Sequence, residues 1–123
     1  MLTLSVLPEL LVICRLDRDA AVPEWVTCNF VSITRTSDEL SIVCAENDVP
    51  SGVKADRGWR ALKIEGPLDL ALTGVLASIA MPLAEAQINL FAISTFDTDY
   101  VLVKADRVAE AIAVLRNAGH HVR

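Results

Sequence analysis

The sequence predicts an α+β protein of two related units, the second a complete βαββαβ arrangement and the first an abbreviated version of it. Two observations carry this reading. Residues 29–45 (NFVSITRTSDELSIVCA) lie on residues 89–105 (NLFAISTFDTDYVLVKA) without a gap: Asn29 matches Asn89, Ile33 matches Ile93, Thr34 matches Ser94, Glu39 matches Asp99, and Val43 and Ala45 match Val103 and Ala105. An ungapped register of this length keeps every side-chain direction of a two-strand unit, so one supersecondary unit is read as used twice. Around the second copy, strand and helix periodicities follow one another in the ferredoxin-like order, with both helices expected on one sheet face.

Taken along the chain, residues 10–16 (LLVICRL) read as strand where the repeat would ask for a helix. Residues 29–45 form the first hairpin, and Pro23–Thr27 and Ser51–Arg57 leave room only for short helical turns. Residues 50–58 (PSGVKADRG) hold a proline and two glycines, so the unit boundary is placed near residue 59, with Trp59 expected to pack at the junction. The units are therefore 1–59 and 60–123.

In the second unit, residues 60–66 (RALKIEG) alternate, Leu62 and Ile64 on one side and Lys63 and Glu65 on the other, as a half-buried strand does. Gly66 and Pro67 end it. Asp69 stands at a helix N-cap position, and Leu72, Val75, Leu76, Ile79 and Leu83 follow at helical spacing, predicting a helix over 70–86 with a kink near Pro82. Residues 88–96 and 99–104 are rich in branched and aromatic side chains and flank Asp97 and Thr98, which predicts a hairpin. Asp106 is the expected cap of a second helix with the stripe Val108, Ile112 and Leu115, and Gly119 its terminator. His121 and Val122 begin a last short strand.

With 123 residues and 53% hydrophobic content, the chain can bury one ordinary core or two small ones. Sixteen acidic residues oppose 11 basic ones, for a formal charge of −5 without a basic run, which argues against a nucleic-acid surface. The apolar start MLTLSVLPELLVICRLD has no basic leader and is broken by Glu9 and Arg15, so a cytoplasmic protein with no membrane association is expected. Cys14, Cys28 and Cys44 form no close pair and read as buried free thiols, not disulfides or metal ligands. His120 and His121, adjacent in an extended segment, would point to opposite faces, which argues against a joint catalytic or metal role.

The run KIEGPLDLALTGVLASIAMPLAEAQINLFAISTFDTDYVLVK resembles the ACT domain, a βαββαβ module that binds amino acids and regulates metabolism. The likeness is nearest to tandem ACT proteins such as the regulatory regions of aspartate kinases and the cytosolic arginine sensors. It covers residues 60–123 most fully, with ISTFDTDYVLV at 93–103 its specific part, and reaches the first half through the hairpin repeat. The resemblance implies a ligand at the interface between two ACT units, between the start of a first helix and a second strand. Here those places are Gly66 to Gly74 and Ser94 to Asp99, with Ser32 to Thr36 as the counterpart in the first unit. The first unit departs from the pattern by lacking its first helix, which puts a second, symmetrical site in doubt.

The candidate ligand-binding residues are therefore Leu68, Asp69, Leu70, Thr73 and Gly74, then Ser94, Thr95, Phe96 and Asp97, then Ser32, Ile33 and Thr34. The chemistry suits a free amino acid or similar zwitterion. Its carboxylate can be held by free N–H groups at a helix N-terminus, expected to be those of Leu70, Ala71 and Leu72. Its ammonium needs an anionic acceptor, for which Asp69, Asp97 and Asp99 are available. Plainer readings stand beside these: Asp69 as a cap, Asp97 and Thr98 as turn residues, Ser94 and Thr95 as strand-end residues, Gly74 as a packing glycine and Phe96 as core.

No histidine, cysteine or lysine stands in a nucleophile and base arrangement, and no glycine loop suits a phosphate, so neither an enzyme nor a cofactor site is expected. The leading expectation is an amino-acid-binding regulatory module working through its unit interface or a homodimer. The alternative is an ACT-fold structural or protein-interaction module without a ligand.

Overall fold

The computed structural model describes residues 1–69 and 71–123. Its elements are β1 (Thr3–Val6), β2 (Leu11–Leu16), β3 (Ser32–Arg35), β4 (Leu40–Ala45), β5 (Lys54–Ile64), α1 (Val75–Glu85), β6 (Phe91–Ser94), β7 (Asp99–Lys104), α2 (Val108–Asn117) and β8 (His121–Val122). They divide into two compact units. One is Met1–Pro8 together with Arg60–Arg123, the helix-bearing unit; the other is Glu9–Trp59, the inserted unit.

Residues 1–8, expected in the first unit, thus lie in the second. The reason is pairing: β1 runs antiparallel to β5, with Leu4 opposite Ile64 and Val6 opposite Leu62, and parallel to β8, with Leu4 opposite Val122. Leu4, Leu62, Ile64 and Val122 all enter one core. The proline- and glycine-bearing stretch 50–58 runs into strand, because β5 begins at Lys54 and replaces the helical turn expected at Ser51–Arg57. Gly58, at φ +83, marks a place where the β2–β5 register slips between Leu11 opposite Trp59 and Ile13 opposite Asp56. A glycine that reads as a linker in sequence is here a bulge residue. Trp59 is buried, with its indole N–H donating to Asp56 Oδ1 at 3.1 Å.

In the helix-bearing unit the strands lie in the order β8-β1-β5-β7-β6. Ile79 and Leu83 of α1 and Ala111 and Leu115 of α2 bury against Leu62, Ile64, Val101 and Val103, and the two helices touch. Ile79, Leu83 and Leu115 belong to the predicted stripes, with Val75, Leu76, Val108 and Ile112 packed at the edge; Ala111 joins them, and Leu72, expected in the stripe, is 55% exposed ahead of the helix. α1 starts later than the spacing predicts. Asp69 does not cap it: its carboxylate accepts the Ala71 N–H at 2.9 Å and its carbonyl the Leu72 N–H at 3.0 Å, a turn closed on itself. Gly74, left-handed at φ +77, then swings the chain into a helix that no side chain caps. Asp106 is likewise no side-chain cap, since a 3-10 turn at Ala105–Arg107 leads into α2. Gly119, at φ +97, ends α2 as expected: its N–H donates to the Arg116 carbonyl and that of His120 to Leu115, which closes the last turn.

The inserted unit orders its strands β3-β4-β2-β5 around Val12, Cys14, Leu40, Ile42 and Cys44. Between β2 and β3 its described residues form turns, one of them with the Val26 N–H on the Pro23 carbonyl, and no helix. Its elements recur in the other unit at an offset of 59 residues: β3 as β6, β4 as β7, and the 3-10 turn Glu46–Asp48 as Ala105–Arg107. The repeat is real, and its register is one residue from the one that the identities favour. The turns settle it. Thr36 N–H donates to the Glu39 carbonyl and Thr95 N–H to that of Thr98, and each threonine hydroxyl accepts the N–H three residues on. Beyond the 3-10 turn the copies part, because Pro50 and left-handed Gly52 stop the helix that α2 continues.

Candidate functional site

One cavity of about 240 Å³ lies wholly within the helix-bearing unit. Its first wall is the segment leading into α1, with Leu68, Asp69, Leu72 and Val75; its second is the β6–β7 turn, Ser94 to Asp99. One hydrogen bond joins the walls, and two more fix the turn, one to β5 and one within itself. The Leu68 N–H donates to the Asp97 carbonyl at 2.7 Å, the buried Thr98 hydroxyl donates to the Ile64 carbonyl at 2.5 Å, and the Thr95 hydroxyl closes the turn on the Thr98 carbonyl at 3.0 Å. Gly66 allows the approach: a Cβ there would stand 2.9 Å from the Leu68 nitrogen and 3.0 Å from the Asp97 oxygen.

The structure brings together Leu68, Asp69, Ser94, Thr95, Phe96 and Asp97 of the candidate ligand-binding residues, with Leu72, Thr98 and Asp99 from the same two sequence stretches, and adds Val75. Thr73 and Gly74 are exposed between Leu72 and Val75 and do not line the cavity. At Gly74 a side chain would meet nothing within 4 Å, and its glycine is explained by the left-handed backbone. Leu70 lies outside the described residues. Ser32, Ile33 and Thr34 belong to β3 of the inserted unit and are not among the lining residues. Phe96, read as core, is 80% exposed at the rim, because it sits at the turn tip where no strand faces it.

The late start of α1 moves the candidate anion cradle. The N–H groups of Ala71 and Leu72 are taken by Asp69, so the first-turn N–H groups without an intrahelical acceptor are those from Val75 onward. Val75 lines the cavity, which therefore has the start of a helix, its positive end, on one side, and Asp69, Asp97 and Asp99 are among its other lining residues. Among the described residues no lysine or arginine lines it. Such a site can hold a carboxylate and an ammonium a few ångströms apart, the separation within one amino acid.

Elsewhere the chemistry is quiet. Cys14 and Cys44 are buried free thiols; burial, then the neighbouring Cys14, Cys28 and Asp48, pushes Cys44 up to about 12. Cys28 is half-buried, its thiol donating to the Phe30 carbonyl at 2.7 Å and accepting the Ala45 N–H at 3.0 Å. Among the described residues no cluster of His, Cys, Asp or Glu is arranged to hold a metal ion, and no helix is long and apolar enough to cross a membrane.

Comparison with known proteins adds the family. A model described as ACT domain matches residues 54–117, over half of the chain. The chain belongs to the ACT domain family. A second model, of an N-terminal domain, matches residues 10–52. Over 59 residues this ACT chain is 44% identical to the human cytosolic arginine sensor for mTORC1 subunit 1, an alignment covering 47% of the chain and 18% of the sensor. The chain thus spans under a fifth of that relative's length. A crystal structure of an Agrobacterium tumefaciens protein is 40% identical, with a TM-score of 0.94 over 99% of this chain and 92% of that one. Aspartate kinase from Clostridium acetobutylicum, titled an allosteric enzyme, shares the fold at 11% identity, with a TM-score of 0.70 over 94% of this chain and 34% of the kinase.

Proposed function

We propose that this ACT chain is a regulatory module that binds a free amino acid in the cavity between the α1 entry and the β6–β7 turn. The observation that carries the reading is the meeting of a helix N-terminus with Asp69, Asp97 and Asp99 in one pocket without a cation of its own. The carboxylate of the ligand faces the first turn of α1, and its ammonium the aspartates. The excess of carboxylates favours a ligand with a second positive charge, and kinship with an arginine sensor makes arginine the first to try. Occupancy acts by shifting association between copies: exposed Phe96 and Leu72 at the rim, and the β6 edge beside them, are what a homodimer would cover. The module performs no catalysis of its own, and its three free cysteines suit a reducing cytoplasm.

A thermal-shift screen of the twenty amino acids tests this, since a ligand at about 100 times its Kd stabilises by about 2.7 kcal/mol. Calorimetry on Asp97→Ala follows: the exposed carboxylate contributes little to folding, and its loss should weaken binding by about 1.5–3 kcal/mol. If no amino acid shifts the melting point or gives heat, the ligand-free scaffold reading replaces this one.

A further inference from the structure

The inserted unit keeps one wall of the pocket and lacks the other. At the offset of 59 its turn Thr36–Glu39 stands for Thr95–Thr98, with Asp38 in the place of Asp97 and Arg35 in that of the pocket-lining Ser94. In the helix-bearing unit the Asp97 carbonyl receives the Leu68 N–H and so draws in the wall that leads to α1. In the inserted unit the Asp38 carbonyl receives instead a guanidinium N–H of Arg15, at 3.1 Å. Arg18 donates to the neighbouring Ser37 carbonyl at 3.2 Å, and Arg35 reaches back to the carbonyls of Arg18 and of Ala20, the latter at 2.7 Å. The segment after β2 is thereby tied to the turn, and no helix N-terminus follows it to receive a carboxylate.

We infer that the inserted unit carries a former counterpart of the site, now closed by its own arginines, so that each chain takes up one amino acid and not two. The three guanidinium groups supply at this corner the cation that an amino-acid ammonium would bring to the other. The stoichiometry rests on the ligand reading proposed above; the arginine closure does not. One consequence is that cooperative binding has to come from association of chains, because a chain alone has a single site.

Equilibrium dialysis of the full chain with labelled L-arginine, run beside hydrogen exchange, tests both parts. The expected result is one arginine per chain, lost in Asp97→Ala and unchanged in Asp38→Ala. In Arg35→Ser the amides of residues 17–21 should exchange at least about fivefold faster while those of α2 stay unchanged, as local opening requires. Two arginines per chain, or a halved capacity in Asp38→Ala, would overturn the single site. Unchanged exchange in Arg35→Ser would overturn the closure. No uptake at all would remove the ligand reading and the stoichiometry with it, and the exchange result would still decide whether the arginines close the corner.

Discussion

His120 takes up the carbonyl of Ser78, its Nε2 lying 3.1 Å away. Ser78 precedes Pro82 by four residues in α1, and proline has no N–H to return to it, so the imidazole stands in for the missing helical donor. The other ring nitrogen, Nδ1, accepts the Leu2 N–H at 3.1 Å, which leaves Nε2 as the donor to Ser78. His120→Ala should therefore cost about 1–3 kcal/mol by stranding both partners. Part of that cost should vanish in the Pro82→Ala background, where Ser78 regains a backbone donor. A double-mutant cycle by urea unfolding measures it, and a coupling below about 0.5 kcal/mol would refute the substitution of ring for N–H.

Gly66→Ala is expected to separate the pocket walls. The added Cβ meets backbone, not a flexible side chain, so the Leu68–Asp97 bond has to lengthen at a cost of about 1–3 kcal/mol. Chemical denaturation should report that loss, together with weaker amino-acid binding. An unchanged unfolding midpoint would show that the walls are not held by this approach.

Thr98→Val keeps the shape of a side chain that is only 5% exposed and removes the hydroxyl from the Ile64 carbonyl. A loss of about 1–3 kcal/mol should follow, with Thr98→Ser recovering most of it. Equal melting points for the valine and serine variants would count against the bond.

Alkaline pH should weaken the inserted unit. Cys44 ionises near 9.0 in the unfolded chain and at about 12 when folded, so over that interval the native state holds the extra proton. Its contribution is complete below pH 9 and is lost as pH rises toward 12, with a slope of at most about 1.4 kcal/mol per pH unit. Cys14, raised chiefly by burial, acts in the same sense. Cys44→Val places at this position the residue its repeat partner Val103 carries, and stability measured from pH 8 to 11 should then fall less steeply than in the unaltered chain.

Much of this was legible in the chain itself. The helix stripes, Gly119, the second hairpin and the aspartates of the pocket follow from local chemistry: apolar period, left-handed termination and turn composition. What escaped depended on partners far along the chain. Nothing near Thr3–Val6 announces that its neighbours are β5 and β8, and nothing beside His120 tells of a proline in another helix. The α1 start was misplaced because Asp69 and Leu72 satisfy the helical spacing, while the self-closed aspartate turn and left-handed Gly74 that delay it leave no periodic trace. The repeat register slipped because three consecutive residues are buried on each inner strand, Ile42 to Cys44 and Val101 to Val103, so that apolar matching tolerates a one-residue error that strict alternation would forbid. The Thr-x-Asp of both turns, Thr36 with Asp38 and Thr95 with Asp97, was the local signal that could have corrected it.

The placement of β1 bears on how the protein is made. On a ribosome the strand Thr3–Val6 emerges well before one of its neighbours, Val122, which lies well over a hundred residues further along the chain. The inserted unit is contiguous and can complete itself during synthesis, whereas the pocket-bearing unit waits with one edge of β1 unpaired until α2 and β8 have left the tunnel. A chain begun at residue 60 would lack the strand between β5 and β8 and leave its sheet in two pieces.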